Sequence, residues 1–268
     1  MMAVIVCLLS LFVVNNAWWK PKPGTTWQWQ LGGDSVDTSY DVHMYDVDMF
    51  DTPQSTIDKL HKDGRIVICY VDVGTWENWR PDANQFPDSV KGLPVDGWAG
   101  ERWLDIRQWD ILGPIMENRF DMAVNKSCDG IEPDNIDGYS NPTGFPLTPA
   151  EQIAYNTNIS IQVHNRSLSV GLKNDVGQIK QLQPHFDWAL NEQCYQYNEC
   201  DGYSEFLDND KAVFGCEYQG AADKFCPAED LSGKNISRLG KNLDLDACVL
   251  FCLDYPCNVP SCLKKIHD

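Results

Sequence analysis

Four carboxylates fall within nine residues of the stretch CDGIEPDNIDGY, namely Asp129, Glu132, Asp134 and Asp137, with no basic side chain among them. Carboxylates held close together repel, and the repulsion is relieved when one of them keeps its proton. One ionised and one protonated carboxyl flanking a bond is what glycoside hydrolysis requires, as nucleophile or base and as acid. The same oxygens could instead ligate a hard cation. An EF-hand loop, however, needs D-x-[DN]-x-[DN]-G with a distal Glu, and this spacing does not supply it.

Further polar groups stand at the ends of apolar runs: Trp29 and Gln30, then Asp46, then Tyr70, Asp72 and Glu77. Later in the chain come Lys173 and Asn174, Glu192 and Gln193, and Glu217. A single Asp in such a place is more often a helix cap or turn residue than a catalyst. Acids and amides at most of the run ends, with Trp and Tyr among them, suit a sugar site. Hydroxyls need hydrogen-bond partners, and the apolar face of a pyranose stacks on an aromatic ring.

The elements that must position these groups alternate. TTWQWQL, DVHMYDVD, RIVICYVDVG, CDGIEPD, LSVGLKND, FDWALNEQC, KAVFGCEYQG and ACVLFCLD read as strands. RIVICYVDVG is continuous and β-branched, as in a strand buried on both faces. Mostly helical stretches separate them. The third opens on Thr148, Pro149 and Glu151, a capping box with proline at the first helical position, and PAEDLSGKNISRLGKN reads as the last helix. Eight βα units in this length predict an α/β fold, a (β/α)8 TIM-type barrel in a single domain. A doubly wound sheet is the alternative, but no G-x-G-x-x-G or P-loop marks a nucleotide site. The segment NWRPDANQFPDSVKGLPVDGWAG is a long loop that would cover the barrel mouth. Trp76, Trp79, Trp98 and Trp103, in or beside it, would line a glycan groove or fill a small core.

In such a barrel the active site lies at the C-terminal ends of the strands. Strand alternation puts Gly130, Glu132 and Asp134 on one face and Ile131 on the other. If Ile131 meets the helices, Glu132 and Asp134 face the barrel axis. Asp134, nearer the mouth, is the better nucleophile; Glu132, a layer deeper, binds or tunes; Asp137 falls in the following turn.

The chain as a whole narrows the partners. It has 268 residues, 43% hydrophobic, with a net charge of −18. Nucleic acid and anionic membrane both require basic patches, so neither is expected. A neutral or cationic polysaccharide fits. Residues 1–17 read as a signal peptide and 18–268 as the mature domain, expected to be secreted and monomeric. Of the 11 cysteines, ten would remain after cleavage and eight of those lie in the C-terminal part, which reads as disulfide-rich. Cys69 and Cys128 lie within strands, where the alternative is a pair of buried thiols. No Cys-x-x-Cys or His pattern marks a metal site, and no cofactor is expected. Sequons at Asn125, Asn158, Asn165 and Asn235 would place those residues at the surface.

In that order, TTWQWQL, YVDVGTWE, CDGIEPDNIDGY, LSVGLKN and ALNEQC resemble glycoside hydrolase family 114, over roughly residues 25–256. The characterised members of that family are endo-α-1,4-polygalactosaminidases. The resemblance implies a (β/α)8 barrel with catalytic acids at the ends of the fourth and sixth strands, which here match Asp134 and Glu192. In an enzyme of this kind Asp134 is the nucleophile and Glu192 the acid/base of a retaining reaction, with Trp29, Gln30, Asp46, Tyr70, Asp72, Glu77, Glu132, Asp137, Lys173, Asn174, Gln193 and Glu217 contacting the glycan. A carbohydrate-binding protein on an inactive barrel is the alternative. The Cys-rich tail around CLDYPCNVPSC departs from the family pattern.

Overall fold

The computed structural model describes residues 18–220, Cys226, 235–252 and Leu263, and in it the apolar runs become strands. β1 (Trp27–Gln30), β2 (Met44–Asp48) and β3 (Ile66–Asp72) lie side by side and parallel. The chain then leaves this sheet to form a small antiparallel one from β4 (Thr75–Glu77), β5 (Lys91–Pro94) and β6 (Glu101–Leu104). It returns as β7 (Gly130–Asp134), β8 (Ser169–Lys173), β9 (Trp188–Glu192), β10 (Val213–Glu217) and β11 (Ile236–Lys241), each parallel to its predecessor in the sheet. Those eight parallel strands are the (β/α)8 barrel expected from the alternation. A ninth, β12 (Val249–Phe251), runs antiparallel against β11. The gap back to β1 is bridged by Leu31 and Gly32 N–H groups donating to Leu245 O at 3.2 and 3.1 Å.

Three of these elements correct the sequence reading. Ile236–Lys241 was expected inside the helix PAEDLSGKNISRLGKN but is the eighth barrel strand. Its pattern, ISRLGK, is too polar to announce a strand. Pairing with β10 buries all six residues, so tertiary context overrides local preference. The rest of that expected helix, residues 227–234, lies outside the described residues. ACVLFCLD, expected as the eighth strand, supplies the antiparallel β12. The long loop after the third strand is structured by the β4–β6 sheet, whose residues wall one side of the barrel mouth.

The outer layer includes α1 (Gln54–Lys62), α2 (Trp109–Asn125), α3 (Pro149–His164), α4 (Ile179–Leu182), α5 (Cys194–Tyr197) and α6 (Ser204–Asp208). The capping box at Thr148 and Glu151 opens α3 as expected. Two large apolar cores form among the described residues. Val47, Val67, Val71, Ile131, Val170 and Leu172 point outward against Ile57, Leu60, Leu112, Phe120 and Ile159 of the helices. Trp27, Met44, Ile68, Trp188, Leu190, Phe214 and Leu239 fill the barrel interior below its mouth.

Cys69 and Cys128 are joined as a disulfide rather than buried as thiols, and Cys194–Cys200 and Cys226–Cys252 are also joined. Cys216 is a buried free thiol. Most of the tail CLDYPCNVPSC lies outside the described residues. Asn125, Asn165 and Asn235 are exposed, but Asn158, on α3, is half-buried.

Candidate active site

The C-terminal ends of the strands open into a cleft of about 940 Å³. At its floor stands Lys173, the last residue of β8 and only 2% exposed. A buried ammonium persists only when paired. Its Nζ lies 2.9 Å from Glu132 Oε1, 2.9 Å from Asp134 Oδ1 and 3.4 Å from Glu192 Oε2. It also sits 4.8 Å from the centroid of the Trp29 ring. Burial pulls the Lys173 pKa down, but Asp134, Glu132 and Glu192 together hold it well above the usual value. Lys173 is therefore a fixed cation.

Asp134 ends β7 beside it. Burial works against its ionisation, yet Lys173, the Asn135 N–H and the Tyr70 hydroxyl hold its carboxyl below the usual range. Tyr70 donates to Asp134 Oδ2 at 3.0 Å. Asp134 is thus ionised and clamped on both oxygens, as a nucleophile should be.

Glu192 ends β9. The Tyr218 hydroxyl donates to its Oε1 at 2.5 Å, and Asn174 Nδ2 donates to its Oε2 at 3.1 Å. Asn174 Oδ1 in turn accepts the Glu192 N–H at 2.9 Å, which orients the amide. A phenol can donate to a carboxylate or accept from a carboxylic acid. Tyr218 can therefore serve Glu192 in either protonation state.

Asn135, Asn174, Asp175 and Gln193 all have left-handed backbone, with φ of 58, 48, 46 and 66°. Each follows or adjoins a site residue at a strand end. The left-handed residue reverses the chain just past each of these side chains, and Asn and Asp tolerate this conformation best. Gly74 has no side chain for a related reason: a Cβ there would come within 1.7 Å of Asn135 O.

The structure brings Trp29, Tyr70, Glu77, Asp134, Asp137, Lys173, Asn174, Glu192 and Gln193 to the cleft wall. Burial, with the charge of Asp134 nearby, raises Asp137 to about 6. Glu77 is held by Arg80 at 2.8 Å. Five residues expected to contact glycan do not line the cleft. Gln30 spends its amide on Ser35 O and the Asp37 N–H, fixing the loop after β1. Asp72 accepts from the Gly74 and Thr75 N–H groups, the Thr75 hydroxyl and the Asn135 amide, which makes it a turn holder. Glu217 accepts the Tyr195 N–H at the start of α5. Glu132 lies under the floor, bound by Lys173 and by Trp29 Nε1 at 3.0 Å. Asp46 is deeper still and fully buried.

Sequence reasoning left other wall residues unassigned. Trp79 and Trp98, 50% and 52% exposed, stand at the rim with Tyr197, and Trp103 lines the wall below. Trp76 instead donates to Ala83 O and packs under Lys91. Asp48, Asp51, Asp96, Glu101, Asp175, Glu199 and Asp244 add further acids to the wall. Only Arg80 and Lys173 among the described lining residues are basic, and both are already paired with carboxylates. Tyr218 was detectable, since it follows Glu217 at a strand end. No group of three or more His, Cys, Asp or Glu arranged to hold a metal occurs among the described residues.

Residues 10–257 match the model of glycoside-hydrolase family GH114. The chain is 42% identical to Ega3 of Aspergillus fumigatus, solved as a complex with galactosamine. The match covers 88% of this chain and 98% of that one, with a TM-score of 0.83. The glycoside hydrolase domain of PelA from Pseudomonas aeruginosa is 9% identical, with 85% and 98% of the two chains covered and a TM-score of 0.64. That likeness shows the shared fold. No curated sequence matches. With barrel, cleft and family model in agreement, the chain belongs to glycoside-hydrolase family GH114 and is a glycosidase.

Proposed function

We propose that this protein is a secreted glycoside hydrolase that cleaves α-1,4-linked galactosamine-containing polysaccharide with retention of configuration. Asp134 attacks the anomeric carbon while Glu192 protonates the departing glycosidic oxygen. Glu192, now a carboxylate, then takes a proton from water, which displaces Asp134 and releases the sugar.

The observation that carries this reading is the bridging of Asp134 and Glu192 by Lys173. Its contacts of 2.9 Å to Asp134 Oδ1 and 3.4 Å to Glu192 Oε2 hold those two oxygens no more than about 6.3 Å apart, which is compatible with the ~5–5.5 Å carboxyl spacing of a retaining pair. The acidic cleft supports a cationic glycan, as does similarity to a protein solved with galactosamine. Asp137, facing the cleft beside Asp134, is the natural partner for a substrate ammonium. Trp79, Trp98 and Tyr197 offer stacking faces for neighbouring sugar units. Disulfides agree with an extracellular setting. The proposed signal peptide, residues 1–17, lies outside the described residues, and we take the mature protein, 18–268, to act as a monomer.

A product profile on galactosamine oligomers of defined acetylation tests the reading. Shortening of amine-bearing α-1,4 oligomers is expected. Binding without cleavage would favour a carbohydrate-binding protein on an inactive barrel.

A further inference from the structure

Asp46 occupies an unusual place for a carboxyl. It is the middle residue of β2, pairs in register with Trp29 and Ile68, and is 0% exposed. Met44 and Ile68 of the interior core lie below it and at its level. Both its oxygens are buried, and no N–H or O–H donor of the described residues reaches either one. An ionised carboxylate stripped of water and of every donor is among the most costly groups a protein can bury. Its polar contact is with another carboxyl, that of Glu132. Two carboxyls touch favourably only if they share a proton.

The donors decide which of the two holds it. Glu132 receives Lys173 Nζ at 2.9 Å on Oε1 and Trp29 Nε1 at 3.0 Å on Oε2. Asp46 receives nothing. We propose that Asp46 is a neutral carboxylic acid that donates its proton to Glu132. It thereby keeps Glu132 ionised as the buried counter-ion that fixes Lys173 under Asp134 and Glu192. Asp46 is then a positioning residue, separated from Asp134 and Glu192 by two intervening residues, Glu132 and Lys173.

The surrounding charges agree. The groups facing Asp46 are Glu132 and Asp134 from β7 and Lys173 from β8. Burial, followed by the Glu132 charge, lifts Asp46 well above the usual carboxyl range. Glu132 is raised too, but Lys173 and the Asp46 hydrogen bond oppose that rise. The positioning role rests on the assignment of Asp134 and Glu192 as the catalytic pair; the protonation state does not.

Infrared difference spectroscopy of the intact mature protein at neutral pH, wild type against Asp46→Asn, reads the proton without any substrate. A protonated carboxyl C=O band present in the wild type and missing from the variant is expected. Its absence from the difference spectrum overturns the proposal. Kinetics then test the role. Asp46→Ala should lower kcat about 100-fold through a misplaced Lys173. Asp46→Asn, whose amide can still donate to Glu132, should recover activity to within about tenfold of wild type. If the Asn variant is as impaired as the Ala variant while both remain folded, a neutral donor is not what the site needs and the positioning role fails. If the wild type cleaves no galactosamine oligomer, the proposed function fails and the infrared result still stands or falls alone.

Discussion

Lys173 and Asp134, the last residues of adjacent strands β8 and β7, are joined by a 2.9 Å ion pair at the floor of the cleft. The same ammonium reaches Glu132 and Glu192, so one cation organises three carboxylates. Lys173→Met should therefore do more than weaken binding. With the cation gone, burial and mutual repulsion raise the Asp134 pKa, and the proposed nucleophile should be lost at neutral pH. A fall in kcat of about 100-fold or more is expected. Steady-state kinetics on a folded variant check it; an effect confined to KM would contradict it.

Asp137 should impose a pH dependence on substrate binding. Burial and Asp134 raise it to about 6, so it is largely protonated below that pH and ionised above it. An ammonium-bearing substrate needs the carboxylate. KM for amine-bearing oligomers should rise as pH falls through about 6, and Asp137→Asn should flatten the dependence. N-acetylated oligomers should show no such limb.

The acidic wall predicts a charge-dependent encounter. Eleven of the described lining residues are Asp or Glu against two basic ones, so a polycation is drawn in at low ionic strength and screened within about 10 Å at 0.1 M salt. kcat/KM on deacetylated polymer should drop steeply with added salt, whereas N-acetylated oligomers should be poorer substrates throughout. A rate indifferent to both changes would count against a cationic substrate.

Much of this site was legible from the strand ends. The periodicity of GIEPD places Glu132 and Asp134 inward and Ile131 outward, and the structure agrees. What alternation could not do was separate acids that face the cleft from acids that hold a turn. Asp72 and Asp134 both end strands and pair in register, yet only Asp134 meets the cleft, because the Gly74 and Thr75 N–H groups claim Asp72. Such local capture depends on backbone geometry rather than composition. β11 was missed because its burial comes from partners distant in sequence. Tyr218 is legible as a strand-end aromatic beside Glu217, but its role is not, because that role exists only across strands, through Glu192.

Buried acids around the cleft should tie stability to pH. Asp175 is raised to about 8, mainly by burial and then by Asp137, against about 3.9 in the unfolded chain. A raised carboxyl favours the folded state while it stays protonated. That contribution is full below about pH 4 and is lost as pH rises through about 8. Thermal unfolding should show Tm falling between pH 5 and pH 8, with a shallower fall in Asp175→Asn. An unchanged slope in that variant would assign the dependence to other groups.

The central claim is the division of labour between Asp134 and Glu192, and azide rescue on an activated α-galactosaminyl substrate tests it most directly. In Glu192→Ala, Asp134 still forms the glycosyl-enzyme and azide attacks it, so the product should be the α-azide, with configuration retained. In Asp134→Ala, azide takes the place of the nucleophile on the free substrate, so the product should be the β-azide. The opposite pairing of variant and anomer would reverse the roles, and rescue of neither variant with cleavage intact in both would remove these two residues from the chemistry.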